Sequence, residues 1–317
     1  MTDRIKSPGR RKVEQFFVRR AARLFSALVR VLPLRVLQRI GNIGGVLIWM
    51  LAPSRQRLAD RNLRAVFGDR YNARDRRRIR LFVTRGIAKT MVELLKVPHL
   101  CPDEIRRISP IAGLQHLRDG VAAGNGGILL TAHYGNWELL NAALLVNGFP
   151  VSVVARDAPD DFTASLINAA REKHGGKVID RDDVRGMLTV LRRGEVLGIL
   201  PDQHAKTGGL LGTFLGLPAS LAQGPALFAA RTGCTVLPTF SCRQPDDTFR
   251  CTVFPPLQLQ DTGDRDADVA ANTQTMQDVI GEQIRTHPEQ WLWLHDRWRP
   301  HDARGWTPPE PEGEPSA

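Results

Sequence analysis

Residues 128–138 read ILLTAHYGNWE, and they mark a change of pattern along the chain. Residues 128–132 form a short, nearly apolar run that is typical of a buried strand. Gly135 then suits a tight turn, and Asn136 is a good N-cap for a helix that runs to Val146 and stops at Gly148. The stretch therefore predicts a strand, a turn and a helix in direct succession.

The same alternation continues downstream of this stretch. Further strands are predicted at residues 151–155, 177–180, 196–200, 235–241 and 250–254, and further helices at 184–193, 225–231 and 266–285. Strands that alternate with helices are typical of an α/β fold. The expectation is a mixed, largely parallel central sheet flanked by helices, in a domain spanning residues 101–306.

The positive charge of the chain is concentrated at its N-terminal end. The first 85 residues hold 22 Lys and Arg against 5 Asp and Glu, whereas the remainder holds 22 against 28. Such an arm suits an anionic surface, which means membrane lipid, nucleic acid or an acidic protein. Arginines interleaved with Leu, Val and Phe fit an amphipathic membrane helix better than a nucleic-acid-binding strip, so no nucleic-acid partner is expected.

Residues 13–100 are predicted to be a helical, membrane-associated region between a disordered basic tail (1–12) and the α/β domain. The charge-free run at 40–53 is shorter than the ~20 residues of a spanning helix. It predicts an amphipathic helix in the interface, with a pair of core helices as the alternative. Two basic helices broken at Gly68 are predicted in 54–82, and another helix in 83–97. Residues 307–317 are expected to be a disordered tail.

His133 and Glu138 are the first candidates for chemistry. Five positions on an ideal helix turn about 500°, so the two side chains meet only if His133 precedes the helix. A carboxylate at Nδ1 fixes the tautomer and stabilises the imidazolium that forms when Nε2 takes a proton. The favoured hypothesis is that Glu138 orients His133 as a general base. The alternative is a histidine satisfied at a strand end, with Glu138 as a helix cap.

The motif His133-Tyr-Gly-Asn-Trp-Glu138 resembles the His-x4-Asp/Glu block of glycerolipid acyltransferases. More narrowly, the chain resembles the bacterial lipid A late acyltransferases (lauroyl and myristoyl transferases) and the related mannoside acyltransferases of actinobacteria. Further blocks match in order over roughly residues 20–300: Arg61-Asn62-Leu63 with Phe67, Val154-Ala155-Arg156, Pro201-Asp202-Gln203, residues 214–219 and residues 293–298. The absence of a Glu-Gly-Thr-Arg block favours the lipid A-like branch over lysophosphatidate enzymes.

The resemblance implies an O-acyltransferase at the cytoplasmic face of the bacterial inner membrane, without a cofactor or metal. It would move a fatty acyl chain from an acyl thioester to a hydroxyl of a membrane glycolipid such as a lipid A precursor. The thioester is acyl carrier protein or acyl-CoA, and the basic arm can steer the acidic carrier or hold anionic lipid. A phosphatidylinositol mannoside or another lipid is the alternative acceptor.

Asp202 is the third predicted catalytic residue, because it follows the strand at 196–200 as His133 follows its own strand. It either orients His133 in place of Glu138 or holds the acceptor hydroxyl, and the second role is favoured. The predicted substrate-binding residues are Arg156, Asn136, Gln203 and Phe214. Arg156 suits a phosphate or an oxyanion, or else a surface ion pair. Residues 214–219 are expected to form an exposed apolar loop, in which Phe214 either lines an acyl channel or packs under the sheet. The Trp-rich block at 291–299 lies either at the membrane interface or in the core.

Other function classes fit the sequence less well. A membrane-bound scaffold with a decayed site is opposed by the intact His133 and Glu138. A hydrolase would need another nucleophile, because the chain contains neither G-x-S-x-G nor H-E-x-x-H. The four cysteines form no Cys-x-x-Cys pair, which disfavours a zinc or redox site and is typical of reduced thiols in a cytoplasmic compartment.

Overall fold

A seven-stranded sheet lies at the centre of the fold. The computed structural model describes residues 27–155, 162–206 and 208–299, together with Arg20. The strands are β1 Ile111–Ala112, β2 Gly127–Leu130, β3 Val151–Ala155, β4 Lys177–Asp180, β5 Val196–Ile199, β6 Leu210–Phe214, β7 Leu217–Leu221, β8 Thr235–Arg243 and β9 Phe249–Val253. The order of the strands in the central sheet is β1-β9-β8-β2-β5-β3-β4. Only β8 and β9 pair antiparallel within this sheet, which confirms the predicted mixed, largely parallel arrangement.

Helices cover both faces of the sheet. They are α1 Leu34–Leu51, α2 Pro53–Phe67, α3 Ala73–Lys96, α4 Pro102–Ile108, α5 Leu114–Ala122, α6 Trp137–Val146, α7 Phe162–Glu172, α8 Val184–Arg192, α9 Gly224–Thr232 and α10 Arg265–Thr286. Ile128 and Leu130 of β2 join one buried apolar cluster, whereas Leu129 joins another. Alternate residues of a strand face opposite sides, so the two clusters are the cores on the two sides of the sheet.

Two sequence-based expectations about local structure were wrong. Residues 83–97 are not a separate helix, since α3 continues from Ala73 to Lys96 after an N-cap in which Asn72 accepts from the Asp75 N–H. Residues 214–219 are not an exposed loop, because β6 and β7 form an antiparallel hairpin there. The predicted break at Gly68 is confirmed, and Gly68 takes a positive φ of 52° at the end of α2.

The N-terminal helices are packed onto the rest of the protein. A Cβ at Gly45 would lie 2.4 Å from the Arg85 Cα, and one at Gly41 would lie 2.9 Å from the Lys89 Cα. These glycines therefore let the backbones of α1 and α3 approach closely, as small residues do in tightly packed helix pairs. Elsewhere along its length and toward its end, α1 leaves apolar side chains exposed: Ile43, Leu47, Ile48, Met50 and Leu51.

The length and polarity of the helices bear on how this region can meet a membrane. Among the described residues, no single helix is long and apolar enough to cross one. The pair Leu34–Leu51 and Pro53–Arg70 passes that test jointly, with a bend of 89° between its halves.

A buried ion pair joins α3 to β8. Arg243 donates from both terminal nitrogens to the two carboxylate oxygens of Glu93 at 2.7 Å. The Gln38 side chain of α1 donates to one of these oxygens at 2.9 Å, and the Asn136 amide donates to the other at 2.7 Å. A buried pair with every oxygen hydrogen-bonded is costly to break, so this network holds α1, α3, β8 and the start of α6 in one arrangement.

Candidate active site

The register of two neighbouring strands brings His133 and Asp202 together. Leu130 of β2 is paired with Ile199 of β5 in a parallel ladder. His133 and Asp202 each lie three residues beyond their member of this pair. The carboxyl ends of adjacent parallel strands share one edge of the sheet, which is where α/β folds collect functional groups.

Asp202 is engaged by three hydrogen bonds. Its Oδ1 lies 2.9 Å from Nδ1 of His133, and its Oδ2 accepts the backbone N–H of His133 at 3.0 Å and the indole N–H of Trp291 at 2.8 Å. Asp202 is 1% exposed, so its negative charge depends on these partners. With Asp202 accepting at Nδ1, the other ring nitrogen, Nε2, is left to accept a proton.

The electrostatics of the pair favour a charged carboxylate beside a basic imidazole. Burial alone would lower the pKa of the His133 imidazole, but the adjacent Asp202 carboxylate outweighs burial and raises that pKa above its ordinary value. Burial alone would raise the pKa of the Asp202 carboxyl. The imidazole of His133 and the two N–H donors, from the His133 backbone and Trp291, lower that pKa. The nearby His295 has its pKa lowered to about 4 by burial, so it is uncharged near neutral pH.

Glu138 does not make the contact that was favoured for it. Its two oxygens accept from Nε and Nη2 of Arg171 at 2.9 and 2.5 Å, and its Oε1 also accepts the Trp137 indole N–H at 3.1 Å. The ring of Trp137 packs edge-on against the ring of His133, with centroids 5.0 Å apart. The favoured pairing of Glu138 with His133 is therefore corrected, because Asp202 occupies Nδ1 and Glu138 is paired with Arg171.

The turn that carries His133 is clamped by residues 288–298, here called the C-terminal segment. The Gly135 N–H donates to the Gln290 carbonyl at 2.9 Å, and the Leu292 N–H donates to the His133 carbonyl at 3.1 Å. Gly135 has a φ of 57°, and a Cβ there would lie 1.6 Å from the Ser241 carbonyl oxygen. Only glycine fits this position, which supports the predicted role of Gly135 in the turn.

The predicted substrate-binding residues are placed differently. Asn136 is fully buried, caps α6 through the Leu139 N–H and donates to Glu93, so it is structural and its predicted substrate contact is corrected. Phe214 is also fully buried and packs on Trp291 and Trp298, which corrects its assignment to a channel wall in favour of the core alternative. The Gln203 amide nitrogen lies 3.3 Å from Nε2 and 3.5 Å from Nδ1 of His133, so it lies beside the imidazole ring. Arg156 lies outside the described residues.

A cleft opens in front of His133. It is narrow and partly open to solvent, and it lies between α3 and the C-terminal segment. A wider groove of about 1140 Å³ along the β8–β9 ribbon shares Phe82, Arg243, Glu289 and Gln290 with it. Within the described part of the chain, no three His, Cys, Asp or Glu side chains are grouped as metal ligands would be.

Two of the sequence blocks that are far apart in the chain are in direct contact. The Asn62 amide donates to the carbonyls of Trp293 and His295 at 3.1 and 3.0 Å, and Arg61 pairs with Asp296 at 3.1 Å. Trp291, Trp293 and Trp298 are each 3% exposed or less, so the tryptophan block belongs to the core and not to a membrane interface. Residues 61–67 therefore support the site by holding the C-terminal segment in place.

Sequence reasoning missed three residues of this site: Trp137 against His133, Trp291 on Asp202 and Arg171 on Glu138. Both tryptophans lie inside motifs identified in the sequence, but only Trp137 has a predicted carboxylate next to it, Glu138, and Trp291 is 89 residues from Asp202. Arg171 lies on α7 in a stretch with no block, and nothing in the sequence pointed to it.

Comparison with known proteins finds relatives that match most of the chain. The sequence profile of the family described as "Bacterial lipid A biosynthesis acyltransferase" matches residues 8–300. The chain is 26% identical to the lipid A biosynthesis lauroyltransferase of Escherichia coli (strain K12) over 293 residues, 91% of this chain and 90% of the relative.

Two further relatives have names that differ from that of the lauroyltransferase. A phosphatidylinositol mannoside acyltransferase of Mycobacterium tuberculosis (strain CDC 1551 / Oshkosh) is 30% identical over 194 residues, and the chain spans 59% of its length. The lipid A biosynthesis palmitoleoyltransferase of Escherichia coli (strain K12) is 21% identical over 84% of this chain and 86% of the relative. Since the profile covers nearly the whole of the sequence, the chain belongs to the bacterial lipid A biosynthesis acyltransferase family.

Proposed function

We propose that this protein transfers a fatty acyl chain from an acyl thioester to a hydroxyl of a membrane glycolipid, with His133 as the general base. The observation that carries the proposal is the His133–Asp202 pair, 2.9 Å apart, in which His133 lines the cleft and its Nε2 is left to accept a proton. Such a pair activates a hydroxyl without any nucleophile from the enzyme.

The proposed reaction balances with the residues at hand. Nε2 of His133 takes the proton of the acceptor hydroxyl as the hydroxyl oxygen attacks the thioester carbonyl carbon. The tetrahedral intermediate then collapses, the carbon–sulfur bond breaks, and the imidazolium returns the proton to the leaving thiolate. Asp202 stabilises the imidazolium between these steps, and the products are an ester and a free thiol.

The names of the relatives support the proposed acceptor, and the charge of the chain supports the proposed donor. Two of the relatives act in lipid A biosynthesis and one on a phosphatidylinositol mannoside, by their names. We propose a lipid A precursor as acceptor, because the lauroyltransferase matches over 91% of the chain whereas the mannoside enzyme matches over 59%. The proposed donor is acyl carrier protein, whose acidic surface complements the arginine-rich α2 and α3, with acyl-CoA as the alternative.

The test is an assay with purified full-length protein in detergent. Acyl carrier protein and CoA thioesters of the same fatty acid are each offered with a lipid A precursor or a phosphatidylinositol mannoside, and the lipids are analysed by mass spectrometry. We expect the lipid A precursor to gain one acyl chain. Release of free fatty acid without any acylated lipid would instead indicate a hydrolase. If neither thioester is consumed, the result would indicate a scaffold.

We further propose that the protein lies on the cytoplasmic face of the inner membrane through α1. Trp49 lies in α1 among the exposed apolar side chains of that helix. The guanidinium carbon of Arg77 in α3 lies over the Trp49 ring, 4.8 Å from the ring centroid. Arg55 and Arg57 at the start of α2 are exposed beside it. Apolar side chains rimmed by arginines favour insertion at the surface of an anionic bilayer.

Replacing Leu47 and Met50 together by aspartate should release the protein from membranes. Each side chain is more than half exposed and is expected to bury in the bilayer, so their loss should weaken binding at least about tenfold. Sedimentation with vesicles containing phosphatidylglycerol measures this. Val184→Asp on α8, also an exposed apolar position, is the matched control.

This pair of substitutions is cleaner than a deletion of residues 1–52. That deletion would also remove Gln38 from its hydrogen bond with the buried Glu93 and strip α1 from α3. Unchanged sedimentation of the Leu47→Asp/Met50→Asp variant, with an unchanged melting temperature, would contradict docking through α1.

A further inference from the structure

Three buried tryptophans of the C-terminal segment direct their indole N–H groups to three different acceptors. Trp291 donates to Oδ2 of Asp202 at 2.8 Å, Trp293 to the Pro288 carbonyl at 2.6 Å and Trp298 to the Phe214 carbonyl at 3.3 Å. The three rings pack on one another, so they share one environment. Only the first of these three bonds reaches the His133–Asp202 pair.

We propose that Trp291 is a positioning residue, whose indole N–H holds the Asp202 carboxylate so that Oδ1 meets His133 and thereby sets the pH at which His133 takes up a proton. This inference rests on the proposed role of His133 as the base. It concerns how the pair is held, and Trp291 itself touches neither the reacting proton nor the acceptor.

The two oxygens of Asp202 have different hydrogen-bond partners. Oδ2 accepts two N–H groups, from the His133 backbone and from Trp291, whereas Oδ1 faces the imidazole. Two donors on Oδ2 fix the rotation of the carboxylate about its own axis. Oδ1 then has one orientation, which points at Nδ1.

The donor and His133 belong to one rigid unit. Trp291 forms an isolated β-bridge with Tyr134, and the next residue, Leu292, donates its N–H to the His133 carbonyl at 3.1 Å. The indole is held by Trp293 at 4.7 Å, by Phe214 at 5.5 Å and by Trp298 at 6.0 Å between ring centroids. An indole so confined keeps its hydrogen bond during the reaction, which is what preorganisation of a catalytic pair requires.

The effect of the indole on His133 has a definite sign. Its N–H dipole points its positive end at Asp202 and so reduces the field of the carboxylate at the imidazole. Without the indole, the His133 backbone N–H still holds Oδ2, so Oδ1 stays at Nδ1. The carboxylate would then stabilise the imidazolium more, and the pKa of His133 would rise.

The other groups that face the pair keep their charges in a Trp291→Phe variant. They are Glu138 and Arg171, which pair with each other, together with His295, Arg297 and Glu289. His295 is uncharged near neutral pH because its pKa is lowered to about 4, and Arg297 stays protonated because burial lowers its pKa only to about 10. The variant therefore removes one donor from Asp202 and no charge from the site.

The experiment compares Trp291→Phe with Trp293→Phe in the full-length protein. Diethyl pyrocarbonate modifies neutral imidazoles, and the modified fraction of the His133 peptide is read by mass spectrometry at a series of pH values. We expect the pH at which half of His133 is modified (the midpoint) to rise by about 0.5 to 1 pH unit in Trp291→Phe. A hydrogen bond to a charged group contributes on that scale. We expect no shift in Trp293→Phe, whose lost bond lies on a backbone carbonyl.

Activity gives a second, independent comparison. The acidic limb of the kcat profile should move to higher pH in Trp291→Phe, with KM for the acceptor unchanged, whereas damage to packing alone would lower activity at every pH. If Trp291→Phe does not fold, incorporation of 3-benzothienylalanine at position 291 replaces the indole N–H by sulfur in a ring of the same shape and allows the same measurement.

The proposal is overturned if the midpoint for His133 falls or stays at the wild-type value in the folded Trp291 variant, or if Trp293→Phe moves it equally. Because the modification by diethyl pyrocarbonate needs no substrate, it reports on Trp291 even if the protein acylates none of the lipids tested. Failure of the proposed function and failure of this inference are thus separate results.

Discussion

The His133→Ala variant is expected to transfer acyl chains about 10²–10⁴-fold more slowly than the wild type, which is the loss typical of removing a positioned general base. The imidazole is the group that would take the acceptor proton, and its partner Asp202 cannot replace it from a fully buried position. The comparison requires steady-state rates of both proteins with the same donor and acceptor.

The fold should survive this substitution. The His133 side chain is 23% exposed, so its removal leaves no large cavity, and Asp202 keeps the N–H donors of His133 and Trp291. A decrease in melting temperature of several degrees is expected, because Oδ1 of the buried Asp202 loses its partner. His116→Ala on α5 is the matched control, and a His133→Ala variant with close to the wild-type rate would show that His133 is not the base.

The second large effect is expected for Asp202→Asn. Two N–H donors occupy the Oδ2 position, so the oxygen of the new amide would take that place and its NH₂ group would face His133 Nδ1. An NH₂ group there makes Nδ1 the acceptor and leaves the proton on Nε2. The imidazole would then carry its proton on the nitrogen that must accept one, and we expect turnover to fall about 10²–10⁴-fold.

Glu138→Gln provides the contrasting variant in the same assay. Glu138 is paired with Arg171 and not with His133, so its neutral isostere should change turnover by less than about tenfold. Its effect should appear in stability, because the partly buried Arg171 loses its counter-charge. Breaking a fully buried pair costs about 3–5 kcal/mol, and a smaller loss is expected here. Melting curves and kcat together separate the two carboxylates, and a large turnover loss in Glu138→Gln beside a mild one in Asp202→Asn would reverse the assignment.

The sequence by itself determined the parts of this protein that depend on neighbours along the chain. The apolar run at 128–132, the glycine at 135 and the cap at 136 specify a strand, a turn and a helix, because strand burial, positive φ and N-capping are local effects. The alternation of strands and helices was sufficient for the fold class, and Gly68 marked the end of α2. The divisions at residues 1–12, 13–100, 101–306 and 307–317 stay predictions.

Only the tertiary structure decided which residues meet. Asp202 reaches His133 because β5 lies beside β2 in the sheet, and strand order is set by the packing of whole elements, which no local pattern records. Proximity in sequence favoured Glu138, but helix geometry directs that side chain to Arg171. Trp291 comes from 89 residues beyond Asp202 and reaches it because residues 61–67 hold the C-terminal segment against the strand ends. Secondary structure follows from short-range preferences, whereas a catalytic pair and its supports are assembled by long-range burial and hydrogen bonding, which exist only once the chain is folded.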